Sequence, residues 1–354
     1  MTYPNITINT KYLTENAQTM VQLCGSAGIS VMAIGKACCG DVTVARSLSA
    51  AGIKWLGDSR IQNLTTFKKA GIDKPLCLLR LPMLSEVKEV VSIADTSLVS
   101  EIATAKALSE AALSQGIIHK IVLMVDLGDL REGVMPADAL STAKIMAGLL
   151  GIELHGIGVN FACYGAVMPS YAKLEQLVQL AETIRSATGL PLPVVSGGNS
   201  ASVFLLPDGV PPGITQLRLG ESILLGRETV YRKAVSGCHL DAFTLSCEII
   251  ELKEKPSVPD GELCTDAFGN PPSFTDKGIR KRAILGIGRQ DVITDGLIPL
   301  DEGADILGAS SDHLIIDVSD VARPLEVGSI MSFNVQYSAL LTSMQSSYVH
   351  KIYL

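Results

Sequence analysis

Between residues 28 and 226, short apolar runs alternate with amphipathic stretches. The runs are SVMAIG, IKWLG, PLCLLRL, TSLVS, KIVLMVDLG, ELHGIGVN, LPVVSG and TQLRLG. Because they are apolar throughout, they predict strands that are buried on both faces, as in parallel sheets. The stretches between them, such as KLEQLVQLAETIRSATG, predict amphipathic helices, several of which end in glycine. Eight such β–α units in about 200 residues indicate a closed parallel (β/α)8 barrel.

A different pattern begins after residue 236. The segments AFTLSCEIIEL, KRAILGIG, HLIIDVSD, GSIMSFNVQY and YVHKIYL predict strands, and Pro, Gly and Asp cluster between them. The opening segment ITINT predicts a lone strand. We therefore expect an N-terminal strand within residues 1–10 that associates with the β domain, a barrel over residues 11–235, and a mostly β domain over residues 236–354. An open doubly wound sheet is the alternative to the barrel, but no strand–GxGxxG–helix motif supports it.

The composition narrows the classes of partner. A chain of 354 residues is long for one core, which favours two domains. A net charge of −7 and an aromatic content of 5%, without a basic run, argue against a nucleic-acid surface. No apolar stretch approaches the roughly 18 residues that cross a bilayer, and the N-terminus lacks the pattern of a signal peptide. We therefore expect a cytoplasmic protein that binds neither nucleic acid nor membranes.

The eight cysteines are scattered along the chain and form no CxxC pair. This spacing argues against a structural zinc site and against a disulfide framework. We therefore expect no metal ion, and most of the cysteines are expected to be small buried hydrophobic residues.

Polar side chains occur where the predicted barrel strands end. They are Lys36, Asp58, Ser59, Arg60, Asp126, Arg131, Asn160, Ser196, Asn199 and Ser200, and Arg218 lies within the eighth strand. In a parallel barrel, the active site lies at the carboxyl ends of the strands. Each residue alone is more often structural, but their shared position at one rim predicts an active site there.

Lys36 closes an apolar strand and is followed by ACCGD. A surface lysine whose stem packs on apolar neighbours is the alternative interpretation. At a barrel rim, however, a partly desolvated amine loses its proton more easily and can form a Schiff base. Lys36 is therefore the leading candidate for covalent chemistry.

Two glycine-containing turns and two arginines predict anion recognition. SGGNSAS and RLGES each enter a short helix after the seventh and eighth strands, where backbone N–H groups and the helix dipole favour phosphate. An ordinary turn with a helix cap is the alternative. Arg218 interrupts an apolar strand, so it needs a buried acceptor or a ligand. Arg131 fits a bidentate carboxylate clamp, or an ordinary loop arginine beside Asp129 and Glu132.

These residues lie in segments that resemble the fold-type-III pyridoxal-phosphate enzymes, of which alanine racemase is the archetype, and that are most similar to the ornithine racemase branch. The segments are GKACCGD, LGDSRIQNL, LLRLPMLSEV, LMVDLGDLREGV, GIGVNFACYG, SGGNSAS, LRLGESILLGRE, DAFGNPPSF, GIRKRAILGIGRQDV, PLDEGADILGASSDHLIIDV and YSALLTSMQSSYV. They extend over essentially the whole chain. The resemblance implies a racemase that uses pyridoxal 5'-phosphate to interconvert the L and D forms of a basic amino acid, ornithine or lysine.

The resemblance also implies roles for individual residues. Lys36 would hold the cofactor as an aldimine, and Arg218 would face the pyridine nitrogen and keep it unprotonated. Arg131 would fix the substrate carboxylate. The other cofactor-binding residues that it implies are Asn160, Ser196, Asn199, Ser200, Gly220, Glu221 and Tyr353.

One departure from alanine racemase concerns the second base. That enzyme has a tyrosine in a Gly-Tyr-x-Asp pattern from the partner subunit, whereas this chain has GRQD at residues 288–291. Racemisation needs two proton-transfer groups, and Lys36 is expected to be one of them. The candidates for the other are Cys39, Cys163, Tyr164 and Arg289.

The resemblance leaves the substrate contacts and the reaction partly open. Tyr164, Ser311 and Asp312 are candidates for substrate binding, and Asp312 is either the acceptor for a terminal ammonium or a turn carboxylate. A homodimer with shared active sites is implied. The alternatives are another reaction of this fold type, a decarboxylation or an aldol cleavage, and a non-catalytic cofactor-binding protein, against which the second domain argues.

Overall fold

The computed structural model describes residues 2–354, which divide into two compact units. Residues 10–240 form the barrel unit, and residues 2–9 together with Asp241–Leu354 form the β unit. Among the described residues, no helix combines the length and the apolar character that spanning a membrane requires. Nor do three or more His, Cys, Asp or Glu side chains of residues 2–354 come together as a metal site.

The chain begins with strand β1 (Asn5–Ile8) of the β unit, and the eight strands of the barrel unit follow. They are β2 (Ser30–Ile34), β3 (Trp55–Asp58), β4 (Leu76–Leu78), β5 (Thr96–Val99), β6 (His119–Met124), β7 (Ile152–Gly158), β8 (Val194–Ser196) and β9 (Gln216–Leu219). Neighbouring strands pair in parallel, and β9 closes the barrel on β2. Each of the eight apolar runs overlaps one of these strands, so the predicted (β/α)8 barrel is confirmed.

Helices connect the barrel strands. They are α1 (Thr10–Ser26), α2 (Val42–Ala50), α3 (Ile61–Lys69), α4 (Val87–Ile93), α5 (Ile102–Ser114), α6 (Ala139–Ala147), α7 (Tyr171–Thr188) and α8 (Glu221–Leu224), with short 3₁₀ helices at Lys36–Cys38, Leu84–Glu86, Pro136–Asp138 and Ser200–Leu205. Local signals set their ends: Asp41 caps α2 by accepting a hydrogen bond from Val44 N at 2.9 Å, and Gly189, with a φ of 71°, ends α7. Between the strands, Met32, Leu98 and Met124 belong to one buried apolar cluster, so the barrel is packed rather than hollow.

The β unit is built on one mostly antiparallel sheet. Its further elements are β10 (Phe243–Pro256), β11 (Ile279–Leu285), a 3₁₀ helix (Thr294–Gly296), β12 (Leu297–Pro299), β13 (Asp305–Ala309), β14 (Leu314–Asp317), β15 (Ile330–Val335), α9 (Tyr337–Ser343) and β16 (His350–Tyr353). The strand order is β12-β15-β10-β11-β14-β13, and β1 pairs antiparallel with β10 and parallel with β16. Burial alternates along β15, which places Met331, Phe333 and Val335 in the core. The predicted mostly β second domain is confirmed.

Candidate active site

Lys36 lies at the mouth of the barrel, in the 3₁₀ turn directly after β2. Its side chain is accessible from outside, but protein atoms crowd around the amine and remove part of its hydration. This burial lowers the pKa of Lys36, whereas the nearby Cys163 raises it and Arg131 lowers it further. The lowered pKa increases the fraction of neutral amine, which is the form that accepts a proton or attacks a carbonyl carbon.

Asp58, the last residue of β3, is fully buried and senses the charge of Lys36. Its Oδ1 accepts hydrogen bonds from Arg60 N at 2.9 Å and from Asn63 Nδ2 at 3.0 Å. Its Oδ2 is buried without a hydrogen-bond partner in the described part of the chain. Burial raises the pKa of Asp58 to about 6, against the effects of these hydrogen bonds and of Lys36. An acid that changes its charge near neutral pH thus lies close to the candidate amine.

Arg218 is buried in β9 with only 4% of its surface exposed. Its guanidinium donates to Ser196 Oγ at 2.5 Å, and to the carbonyl of Val159 and Asn160 Oδ1 at 2.7 Å each. Burial lowers the pKa of Arg218 to about 10, so the side chain still carries its charge at neutral pH. Neutral acceptors therefore hold a fixed cation in the barrel, and they include two residues, Ser196 and Asn160, that the resemblance implied.

Glu132 connects Arg218 to Arg131 through Asn160. Its carboxylate accepts hydrogen bonds from Asn160 Nδ2 and from Arg131 Nε, and from Arg131 Nη2 at 2.5 Å. Glu132 thereby raises the pKa of Arg131 above its ordinary value. Sequence reasoning treated Glu132 only as a neighbour of Arg131, and the acid in DLREG was the signal for this network.

Asp129 shapes the loop that follows β7. Its buried carboxylate accepts the backbone N–H groups of Cys163 and Tyr164 at 3.2 Å and of Val167 at 3.4 Å. Gly165 is needed for this approach, because a Cβ there would lie 2.5 Å from the carbonyl oxygen of Asp129. Sequence reasoning did not assign Asp129 a function, yet it determines where the predicted residues of this loop lie.

Cys163 faces the barrel mouth from this loop. Its Sγ accepts a hydrogen bond from Asn199 Nδ2 at 3.3 Å. Burial raises the pKa of the Cys163 thiol, while Arg131 and Lys36 lower it. Since Lys36 and Cys163 each affect the pKa of the other, the structure brings these two candidates together.

The turns after β8 and β9 meet through one hydroxyl. Ser200 Oγ accepts hydrogen bonds from Gly220 N at 3.2 Å and from Ser222 N at 3.1 Å. Asn199 caps the 3₁₀ helix that begins at Ser200, and Gly198 beside it has a φ of 107°. The two predicted anion-binding turns therefore converge, with backbone N–H groups and a hydroxyl at their junction.

Three predicted site residues of the barrel unit, Glu221, Tyr164 and Cys39, have surroundings that differ from those of the residues above. The carboxylate of Glu221 pairs with Arg232 at 3.0 Å, so its backbone rather than its side chain belongs to the turn. The side chain of Tyr164 is 78% exposed. Cys39 is exposed too, in a left-handed conformation with a φ of 52° that ends the turn after Lys36.

The remaining predicted residues lie in the β unit. Arg289 N donates to the carbonyl of Ser310 at 2.9 Å, which places it next to Ser311 and Asp312. The Arg289 guanidinium stacks on Phe268 at 4.5 Å and lies 3.8 Å from Asp266. Asp312 is exposed, and a hydrogen bond from His313 at 2.9 Å lowers its pKa. Tyr353 lies in β16 opposite Ile8 of β1.

Comparisons with known proteins agree with this architecture. A family model described as "Alanine racemase, N-terminal domain" matches residues 8–227. The chain is 48% identical to the ornithine racemase of Acetoanaerobium sticklandii over 351 residues, 99% of each chain. It is 42% identical to the lysine racemase of Thermotoga maritima over 354 residues, 100% of this chain and 99% of the relative. Among solved structures, alanine racemase from Streptomyces coelicolor A3(2) matches with a TM-score of 0.76 at 18% identity, over 99% of this chain and 97% of the other.

Proposed function

The chain belongs to the alanine racemase family, and from that premise we propose that it interconverts the L and D forms of a basic amino acid, ornithine or lysine. The observation that carries the proposal is the Lys36 amine, which lies at the barrel mouth with a lowered pKa and beside a second titratable group. The choice of substrate is supported by two relatives that match over their whole length and are an ornithine racemase and a lysine racemase.

The cofactor of the proposed enzyme is pyridoxal 5'-phosphate, and the residues at the mouth fit it. Lys36 offers an amine that is more easily deprotonated than usual, and the Ser200–Gly220 junction offers donors for a phosphate. Arg218, held by Ser196 and Asn160, offers a fixed cation for the ring nitrogen. Asn199, Glu221 and Tyr353 complete the proposed contacts. When bound, this cofactor makes the α-hydrogen of an attached amino acid acidic.

The chain's own residues have separate roles in the proposed reaction. Lys36 Nζ takes the α-proton from one face of the substrate or returns it there. Arg131 binds the substrate carboxylate, and Glu132 holds its guanidinium in place. Arg218 stays charged at neutral pH and therefore keeps a proton away from the atom that it faces. The proposed candidates for the second proton-transfer group are Cys39, Cys163, Tyr164 and Arg289.

The β unit supplies the proposed acceptor for a basic side chain. Asp312 is exposed and ionised more readily than an ordinary aspartate, so it suits a terminal ammonium, with Ser311 beside it. We propose that these residues act in a homodimer whose subunits share their active sites. An Asp312→Asn variant should then raise KM for ornithine more than KM for an uncharged amino acid.

Single enantiomers of ornithine, lysine and alanine, incubated with the purified protein and separated by chiral chromatography, test the proposed function. We expect the optical activity of ornithine or lysine to disappear while the total amount of amino acid stays constant. Borohydride treatment should fix the cofactor on Lys36, which peptide mass spectrometry detects. Release of carbon dioxide or of an aldehyde would instead indicate a decarboxylase or an aldolase.

A further inference from the structure

Racemisation needs a proton-transfer group on each face of the α-carbon, and the following inference rests on the proposed function. Lys36 serves one face. The resemblance to alanine racemase implies that Arg289 takes the position of that enzyme's tyrosine, and the Arg289 guanidinium is stacked on Phe268 and lies beside Asp266. An arginine keeps its proton under ordinary conditions and is therefore a poor base. The second group has to come from elsewhere in the molecule.

We propose that Cys163 is the second proton-transfer group and that its thiol works as the partner of the Lys36 amine. The loop after β7 presents Cys163 to the barrel mouth, where its side chain is exposed and open to a bound substrate. Two contacts fix its position: Asp129 binds the Cys163 backbone N–H at 3.2 Å, and Asn199 Nδ2 donates to its Sγ at 3.3 Å. Of the titratable groups around Lys36, Cys163 has the largest effect on the pKa of the lysine.

The protein surroundings shift the pKa values of these two groups in opposite directions. Burial lowers the pKa of Lys36 and raises the pKa of Cys163, so the uncharged form of each group is more abundant than it would be in water. Once the proton has moved, the ammonium of Lys36 and the thiolate stabilise each other. Arg131 also lowers the pKa of Cys163, while Asp129 and Glu132 raise it.

Lys36 and Cys163 together account for every proton that moves in the proposed reaction. In one direction, the Cα–H bond of the substrate breaks as Lys36 Nζ takes the proton, and a new Cα–H bond forms on the other face as the S–H bond of Cys163 breaks. The enzyme is left with an ammonium and a thiolate. It returns to its starting state when the proton passes from Lys36 to Cys163, directly or through water, and the opposite direction reverses these roles.

Other titratable candidates fit less well. The side chain of Tyr164 is 78% exposed, with most of its surface in solvent. Asp58 is fully buried and cannot touch a substrate. Cys39 ends the turn after Lys36 in a left-handed conformation. In the described part of the chain, no hydrogen bonds like those from Asp129 and Asn199 to Cys163 hold it in place.

A Cys163→Ser variant tests the proposal because it keeps the shape of the side chain while an alcohol is a far weaker acid than a thiol. Each pure enantiomer of the substrate is incubated in D₂O, and both racemisation and α-deuterium incorporation are followed. We expect racemisation to fall by about 100-fold or more. Deuterium should still enter the enantiomer whose α-hydrogen faces Lys36, and it should not enter the other enantiomer. Cys264→Ser, an exposed cysteine of the β unit, is the matched control and should keep full activity.

A second measurement on the native protein does not depend on turnover. The rate of Cys163 alkylation by iodoacetamide, followed by peptide mass spectrometry across pH, reports the thiol pKa. In Lys36→Met this pKa should be higher than in the wild type, because the Lys36 side chain, whose charged form lowers it, is gone.

The outcomes separate this inference from the proposed function. A wild-type protein without racemase activity on any amino acid would refute the function. An active wild type whose Cys163→Ser variant racemises within about threefold of it, or exchanges both enantiomers alike, would refute only the role of Cys163. An alkylation profile that Lys36→Met leaves unchanged would also refute the coupling of the two groups.

Discussion

Asp129→Asn should loosen the loop that carries Cys163 without unfolding the barrel. The wild-type carboxylate accepts three backbone N–H groups, at 3.2, 3.2 and 3.4 Å. An asparagine with its oxygen at the Oδ1 position still accepts from Cys163 N and Val167 N, but its amide N–H group then faces Tyr164 N. Hydrogen bonds to a charged acceptor contribute about 1.5–3 kcal/mol each, and the long distances here favour the lower value. Losing the Tyr164 hydrogen bond, and weakening the other two because their acceptor is no longer charged, together costs about 3 kcal/mol of local stability.

Amide hydrogen exchange measures this local effect directly. A loss of about 3 kcal/mol corresponds to roughly 100-fold faster exchange of the amides of Cys163, Tyr164 and Val167. Racemase turnover should fall in parallel if Cys163 transfers a proton. Asp266→Asn is the matched control, because that carboxylate also accepts two backbone N–H groups, but in the β unit. Exchange in the 161–167 loop that changes less than about threefold in Asp129→Asn would refute this reasoning.

Three further variants test the site. Burial raises the pKa of Asp58 in the folded protein to about 6, so its contribution to stability is present at low pH and is lost as pH rises through 6. Urea unfolding should therefore show Asp58→Asn gaining about 1.4 kcal/mol relative to the wild type between pH 5 and pH 8, and a pH-independent difference would contradict this. In steady-state assays, Glu132→Gln should raise KM by about tenfold and change kcat less, because Arg131 loses its bidentate partner. The control Glu182→Gln breaks an exposed ion pair on α7 and should leave KM unchanged. Ser200→Ala removes the hydroxyl that joins the two turns, so the cofactor should bind about tenfold more weakly in an absorbance titration, and unchanged affinity would argue against a phosphate at this junction.

Local pattern was enough to predict the barrel. A strand that is buried on both faces must be apolar along its whole length, and this requirement is visible in runs such as SVMAIG and KIVLMVDLG whatever their partners are. The convergence of the turns at Asn199 and Gly220 follows in the same way, because the seventh and eighth strands of a parallel barrel end at one rim.

The sequence alone did not predict which distant segments of the chain contact each other. Asp129 and Cys163 are 34 positions apart, and Asn160 and Glu132 are 28 apart, so no local pattern indicated that they would meet. Cys163 and Tyr164 are adjacent in the sequence. Their surroundings depend on how the loop that carries them bends around the buried carboxylate of Asp129.

The amino-acid order therefore determined which segments become strands and helices and which residue types reach the rim, since these depend on short-range periodicity and on the burial of apolar surface. The tertiary structure decided which charges neighbour each other, as for Lys36 and Asp58, and how far burial shifts their protonation. Those properties depend on distance and desolvation in three dimensions, which periodicity along a chain does not encode.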